Sequence, residues 1–142
     1  MSIVLFVHLI SIGIWAGCVA TEVVCELSQK NIKYSESYIA SLHWNIDRFV
    51  EIPAIIITTI TGGILLQTVT FTPLITLKVT AGICAVVLNS FAAYTVYMRC
   101  KYYSEKNENG YMKYHRLHEQ VGIGCVLALI VAIGSGGVII AG

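Results

Sequence analysis

The chain has 142 residues, of which 56% are hydrophobic and 12% charged, with a formal net charge of +1 and a mean hydropathy of +0.76. Soluble domains carry about 25% charged residues, so this chain lacks the polar surface to cover a water-facing globule, and lipid is its expected solvent. The near-neutral charge offers no basic face, and no nucleic-acid partner is expected.

A helix needs about 20 mostly apolar residues to cross a bilayer. Four stretches fit: 3–24, 52–69 with a polar extension back to His43, 77–98, and 121–141. The first follows only Met-Ser, has no basic leader and is too long for a typical signal core, so it is expected to be retained. In the second, Trp44 suits headgroup depth. Predicted helices cover roughly 3–27, 43–69, 74–102 and 112–141 within a single domain spanning 1–142. Between them lie a polar stretch (28–42), a Phe71-Thr72-Pro73 turn, and a second polar stretch (101–114) containing Asn109-Gly110. Short loops make consecutive helices antiparallel neighbours. The expected fold is all-α, an integral membrane antiparallel four-helix bundle.

The charges segregate. Lys30, Lys33, Arg48, Arg99, Lys101, Lys106, Lys113 and Arg116, eight of the nine basic residues, fall with all eight acids on the side of the first and third loops. Lys78 alone occupies the other side. The excess of Lys and Arg marks the charged side as cytoplasmic, which for a bacterial inner-membrane protein leaves both termini periplasmic. The five cysteines lie in spans or at their ends and form no Cys-x-x-Cys pair, which favours packing roles.

Each span carries a polar or small-residue stripe at spacings of three and four, the period of one helical face. The stripes are His8, Ser11, Trp15, Cys18, Glu22, Cys25; His43, Asp47, Glu51, Ala54, Thr58, Thr61; Lys78, Gly82, Ala85, Asn89, Ala92; and His115, His118, Gly122, Cys125. A second small-residue face on the last helix, Ala128, Ala132 and Gly136, suits either internal packing or a homodimer.

Ionisable groups at mid-span cost ~2.5–3.5 kcal/mol each and mark function by default. At ~1.5 Å per residue, His8 and Lys78 sit ~10 and ~8 Å from the outer edge, at matching depth. A hydrogen-bonded core histidine and a snorkelling lysine are the plain alternatives. On the charged side, His43, His115 and His118 lie at comparable depth, with Glu22, Glu26, Glu51 and Glu119 approaching from three helices.

Histidines in a membrane bundle suit haem b, one or two per chain, with propionates held by Arg or Lys. His43 with His118 would ligate one haem, His115 being the alternative to His118. Arg48 and Arg116 would meet propionates, and Trp15 would help wall a ring. His8, with Lys78 or an outside ligand, would hold a second. The rival is a carboxylate–histidine metal site built from Glu22-x-x-x-Glu26, Asp47-x-x-x-Glu51 and His115-x-x-His118-Glu119, whose donors suit iron, manganese or zinc. It lacks the Glu-x-x-His pairs of four-helix di-iron proteins, and haem is preferred.

His8-Leu9-Ile10-x-Ile12-x-x-Trp15-Ala16-Gly17 resembles the opening helix of the haem-b-binding membrane protoporphyrinogen oxidases, the HemJ family, and of the broader CopD-like group. Arg48-Phe49 with Pro53, Leu77-Lys78, and Arg116-Leu117-His118-Glu119 resemble further short motifs of that family, in order along the chain. The resemblance implies a haem ligand at His8 and a functional partner at Lys78, with Arg48 and Glu119 supporting. Lys78 and Glu119 become the catalytic candidates. Asn89 stands near a position where the family tends to have His, and His118 stands where it has Asn. Glu22 and Glu26 stand where its first helix ends in a basic residue.

These departures suit a second haem. The leading expectation is therefore a cytochrome-like membrane protein passing electrons to or from a quinone or a redox protein. Oxidation of protoporphyrinogen IX comes second, a CopD-like protein binding copper or another metal third, and a purely structural or interaction protein remains.

Overall fold

A computed structural model describes residues 2–29 and 36–141, with side chains over 2–28 and 38–139. Lys30 and Lys33, both used for the predicted orientation, lie outside the described residues, as does the side chain of Glu36. The described chain is helical: α1 (Ile3–Gln29), α2 (Glu36–Ile46), a π-helical turn (Asp47–Glu51), α3 (Ile52–Leu66), α4 (Pro73–Ser104) and α5 (Glu108–Ala141). Because α2, the π turn and α3 follow without a break, there are four long helices, each long and apolar enough to cross a membrane.

The helix ends follow local chemistry. α3 stops at Leu66, short of the expected 69, where Gln67 and Thr68 bond back three residues to Ile64 and Leu65. Thr72 is extended, at φ −113° and ψ 164°, because the Pro73 ring disfavours helical backbone in the residue before it. Thr72 Oγ1 then caps α4 by accepting from Ile75 N at 3.3 Å, and Pro73 sits in the first turn, where its missing N–H costs nothing. α5 begins at Glu108, earlier than the expected 112. Asn107 Oδ1 accepts from Gly110 N at 2.9 Å, so Asn109-Gly110 forms the first turn of a helix. Gly110 is needed there, since a Cβ would lie 2.5 Å from the Tyr102 ring.

The π turn has a cause and a consequence. Pro53 has no N–H to offer, and Ile52 N–H bonds to Asp47 O, five residues back. In a regular α-helix at 3.6 residues per turn, residues eight apart drift by about 80°. A turn closed from i to i+5 advances less per residue, which removes drift between His43, Asp47 and Glu51. All three are buried, at 0%, 1% and 1% exposure.

α5 packs along α4, and α1 packs against α3 and the π turn. Trp15, Ala54, Ile55, Ala85, Cys125 and Leu129 form the central core, where small residues allow close backbone approach. Every described position of the four sequence stripes is buried or half-buried. The Ala128–Ala132–Gly136 face is also turned inward: Ala128 packs on the core, and Lys78 of α4 lies over Gly136.

The polarity is inverted relative to a water-soluble protein. Phe6, Ile56, Ile83, Val87, Ile123 and Ile130 are exposed, whereas His43, Asp47, Glu51 and Arg99 are buried. Apolar exposure on this scale, with charge held inside, fits an integral membrane protein.

Candidate metal centre

The interior of the charged half contains two adjacent groups of ligand-type side chains. In the first, Glu26 of α1, His43 of α2 and His118 of α5 each bring a ligating atom within 4.8 Å of the others. In the second, Glu22, Asp47 and Glu51 do the same. Glu22 and Glu26 are one turn apart on α1, as are His43 and Asp47 on the second long helix, so the two groups stack about one helical turn, ~5.4 Å, apart.

Two further side chains from α4 fix the first group. Arg99, fully buried, donates from Nη1 to Glu26 Oε1 at 2.8 Å, and its guanidinium lies 5.8 Å from the Tyr111 ring centroid. Glu26 Oε1 is also 3.5 Å from His43 Nδ1. Thr95 has one hydroxyl proton, directed to Ala92 O at 2.6 Å. Its oxygen therefore accepts from His118 Nδ1–H at 3.0 Å. That bond assigns the tautomer and leaves the His118 Nε2 lone pair free, the arrangement in which a second-shell partner prepares an imidazole to ligate.

The charge balance of the cluster is lopsided. Four carboxylates (Glu22, Glu26, Asp47, Glu51) face one guanidinium. Glu22 Oε1, both Asp47 oxygens, Glu51 Oε1 and both His43 ring nitrogens have no hydrogen-bond partner among the described residues. Ionised carboxylates only accept hydrogen bonds, so neighbouring acids need a proton or a cation between them. Uncompensated buried charge costs several kcal/mol per ion. A shared proton or a bound transition-metal ion would each meet that need, and ligand distances of about 2.0–2.2 Å are compatible with a set whose donors already lie within 4.8 Å of one another.

The predicted His43–His118 pairing is present, with ring centroids 6.2 Å apart and planes inclined by 44°. A carboxylate oxygen of Glu26 lies within 4.8 Å of a ring nitrogen on each.

The other half of the molecule has a different character. A cavity of about 470 Å³ is lined by His8, Trp15, Gly62, Lys78, Gly82 and aliphatic side chains, but not by His43 or His118. Thr61 repeats the Thr95 device: its hydroxyl donates to Ile57 O at 2.6 Å, so its oxygen accepts from His8 Nδ1–H at 2.9 Å. Gly62 permits the approach, since a Cβ there would lie 3.1 Å from His8 Cε1. Between cavity and carboxylate–histidine cluster stands the apolar core. Within it Asn89 Oδ1 accepts from Trp15 Nε1–H at 3.1 Å and from Cys125 Sγ at 3.2 Å, and the Asn89 side chain lies beside Glu51.

The structure thus separates the sequence candidates. His43 and His118 meet at Glu26, and Glu22 and Glu51 meet at Asp47, while His8, Lys78 and Trp15 line the cavity in the other half. His115 is half-buried and stacks on Tyr111 at 6.0 Å and 8°, which answers which of the two α5 histidines joins the cluster. Arg48, Arg116 and Glu119 are exposed, and Arg48 packs over Phe49 instead. Asp47, expected as a carboxylate of the rival metal site, lies in the cluster; two further residues there, Thr95 and Arg99, were not among the predicted ones. The α4 stripe reaches the last two if continued by three and then four residues past Ala92.

Compared with known protein families, characterised proteins and solved structures, the chain matches none of them. The resemblance to the HemJ and CopD-like groups therefore rests on the quoted residues alone.

Proposed function

We propose that this chain is an integral membrane metalloprotein, an antiparallel four-helix bundle that holds one or two first-row transition-metal ions for redox chemistry. One observation carries the reading: six buried or half-buried carboxylate and imidazole side chains from three long helices converge with Arg99 as the one buried cation among the described residues. Carboxylates suit manganese and imidazole suits iron, copper or zinc, so a mixed set rich in oxygen favours iron or manganese. Glu26, His43 and His118 would hold one ion, and Glu22, Asp47 and Glu51 the other. Arg99 fixes the Glu26 carboxylate, and Thr95 orients His118.

A held ion is supported over a conducted one. Trp15, Ala54, Ile55, Ala85, Cys125 and Leu129 pack as a buried, mainly apolar core beyond the cluster, which favours an ion held in place. Arg48, Lys101, Lys106, Lys113 and Arg116 are exposed at the charged end, which supports a cytoplasmic cluster and outward-facing termini.

The porphyrin reading draws on the cavity lined by His8, whose volume of about 470 Å³ is within the usual ligand-pocket range, and on the 6.2 Å separation of the His43 and His118 rings. The two readings separate in a titration of metal-free protein in detergent. Saturable binding of Fe²⁺ or Mn²⁺ that is lost in His43→Ala supports the metal centre. A Soret band that vanishes in His8→Ala, with no metal binding outside the porphyrin, would replace it with haem.

A further inference from the structure

The His8–Lys78 cavity carries an inference that does not depend on the metal centre. Its walls are aliphatic, and Ile83, Val87 and Ile133 belong both to its lining and to the exposed apolar surface. A lipid-soluble molecule can therefore enter from the side. Two polar groups break the apolar wall, and they differ in kind. His8 is 7% exposed, and with Nδ1–H spent on Thr61 it presents Nε2 as an acceptor without a donor. Lys78 presents an ammonium, a donor without an acceptor. All four acids of the interior cluster lie in the other half, and Lys78 forms no ion pair among the described residues. The Trp15 ring completes the wall, held in orientation by the Asn89 bond at its Nε1.

We propose that this cavity binds the head of a lipid-soluble quinol. One phenolic hydroxyl donates to His8 Nε2, an oxygen of the head accepts from Lys78 Nζ, and the tail lies along the exposed aliphatic side. The donor–acceptor pattern selects this chemistry among membrane solutes. A fatty-acid carboxylate or a lipid phosphate satisfies Lys78, but being acceptor-only it leaves His8 Nε2 unpaired, and buried unpaired groups are costly. An oxidised quinone has the same defect at His8. The flat ring of a quinol also suits the Trp15 face.

The test uses the full-length protein in detergent carrying Trp44→Phe, so that Trp15 is the sole indole reporter, titrated with decylubiquinol. The result expected is saturable quenching by decylubiquinol at least tenfold tighter than by decylubiquinone, oleate or dioleoylphosphatidylcholine. His8→Leu and Lys78→Met should each weaken it tenfold or more. Should His8→Leu fail to fold, Gly62→Ala serves in its place, because its Cβ displaces the imidazole from 3.1 Å while keeping it in the protein. Oleate or the phospholipid binding as tightly as the quinol, or quinol affinity unchanged in Lys78→Met and Gly62→Ala, would overturn the assignment. Metal binding enters none of these readouts, so the site stands or falls apart from the cluster.

Discussion

Replacing Arg99 by methionine removes a buried guanidinium and leaves Glu26 in place. The pair is close, at 2.8 Å, with Arg99 fully buried and Glu26 17% exposed, so water offers the orphaned carboxylate little help. Breaking a buried pair from one side costs about 3–5 kcal/mol, whereas replacing both partners by apolar or neutral groups is often near neutral. Arg99→Met and Glu26→Gln should therefore each destabilise the metal-free protein by about 3–5 kcal/mol. The double variant should cost no more than about 2 kcal/mol, short of additivity by about 4 kcal/mol or more. Metal changes the pattern in one direction only. An ion beside Glu26 replaces the charge that Arg99 supplied, so saturating metal should rescue Arg99→Met more than Glu26→Gln, which has lost a ligand. At a hundredfold excess over Kd, binding adds about 2.7 kcal/mol. Detergent-solubilised protein unfolded by added SDS, with and without metal, gives all eight values. Single variants within about 1 kcal/mol of the parent, with additive effects and equal responses to metal, would refute the reasoning.

Thr95→Val keeps the shape and removes the acceptor for His118 Nδ1–H, so metal affinity should fall by about 10–100-fold with the fold retained; isothermal titration and circular dichroism check the two halves. His118→Ala should abolish binding of one ion, whereas His115→Ala, at a stacked position outside the cluster, should change metal affinity less than twofold by the same titration, about 0.4 kcal/mol. Lys78→Met removes a cation from an apolar wall. It should stabilise the protein by about 1 kcal/mol, part of the ~2.5–3.5 kcal/mol that a charge costs at mid-span, as measured by its unfolding midpoint.

Helix number and inward faces were legible because lipid imposes a simple rule: apolar residues outside, polar ones at helical spacing inside. His43, Asp47, Glu51, Ala54, Thr58 and Thr61 all follow it and are all buried. The α4 stripe was legible too, but Arg99 reads as one more basic residue at a helix end until Glu26 is found against it. Pairwise meetings between helices leave no local signal. Nothing in the neighbourhood of Glu22 announces Asp47 and Glu51. The π turn was equally hidden, since Pro53 signals a disturbed helix without saying that an i to i+5 closure will align three ligand-type side chains. The sequence puts Arg48 and Arg116 forward ahead of Arg99, yet the rotation of their helices leaves both outside and Arg99 within.

Metal analysis of the protein purified from membranes without added chelator tests the central claim most directly. Elemental quantification should find one to two iron or manganese atoms per chain, falling to background in Glu51→Ala combined with His118→Ala while the variant remains helical. A folded parent protein with no transition metal, even after anaerobic reconstitution with Fe²⁺, Mn²⁺ and Zn²⁺, would contradict the account.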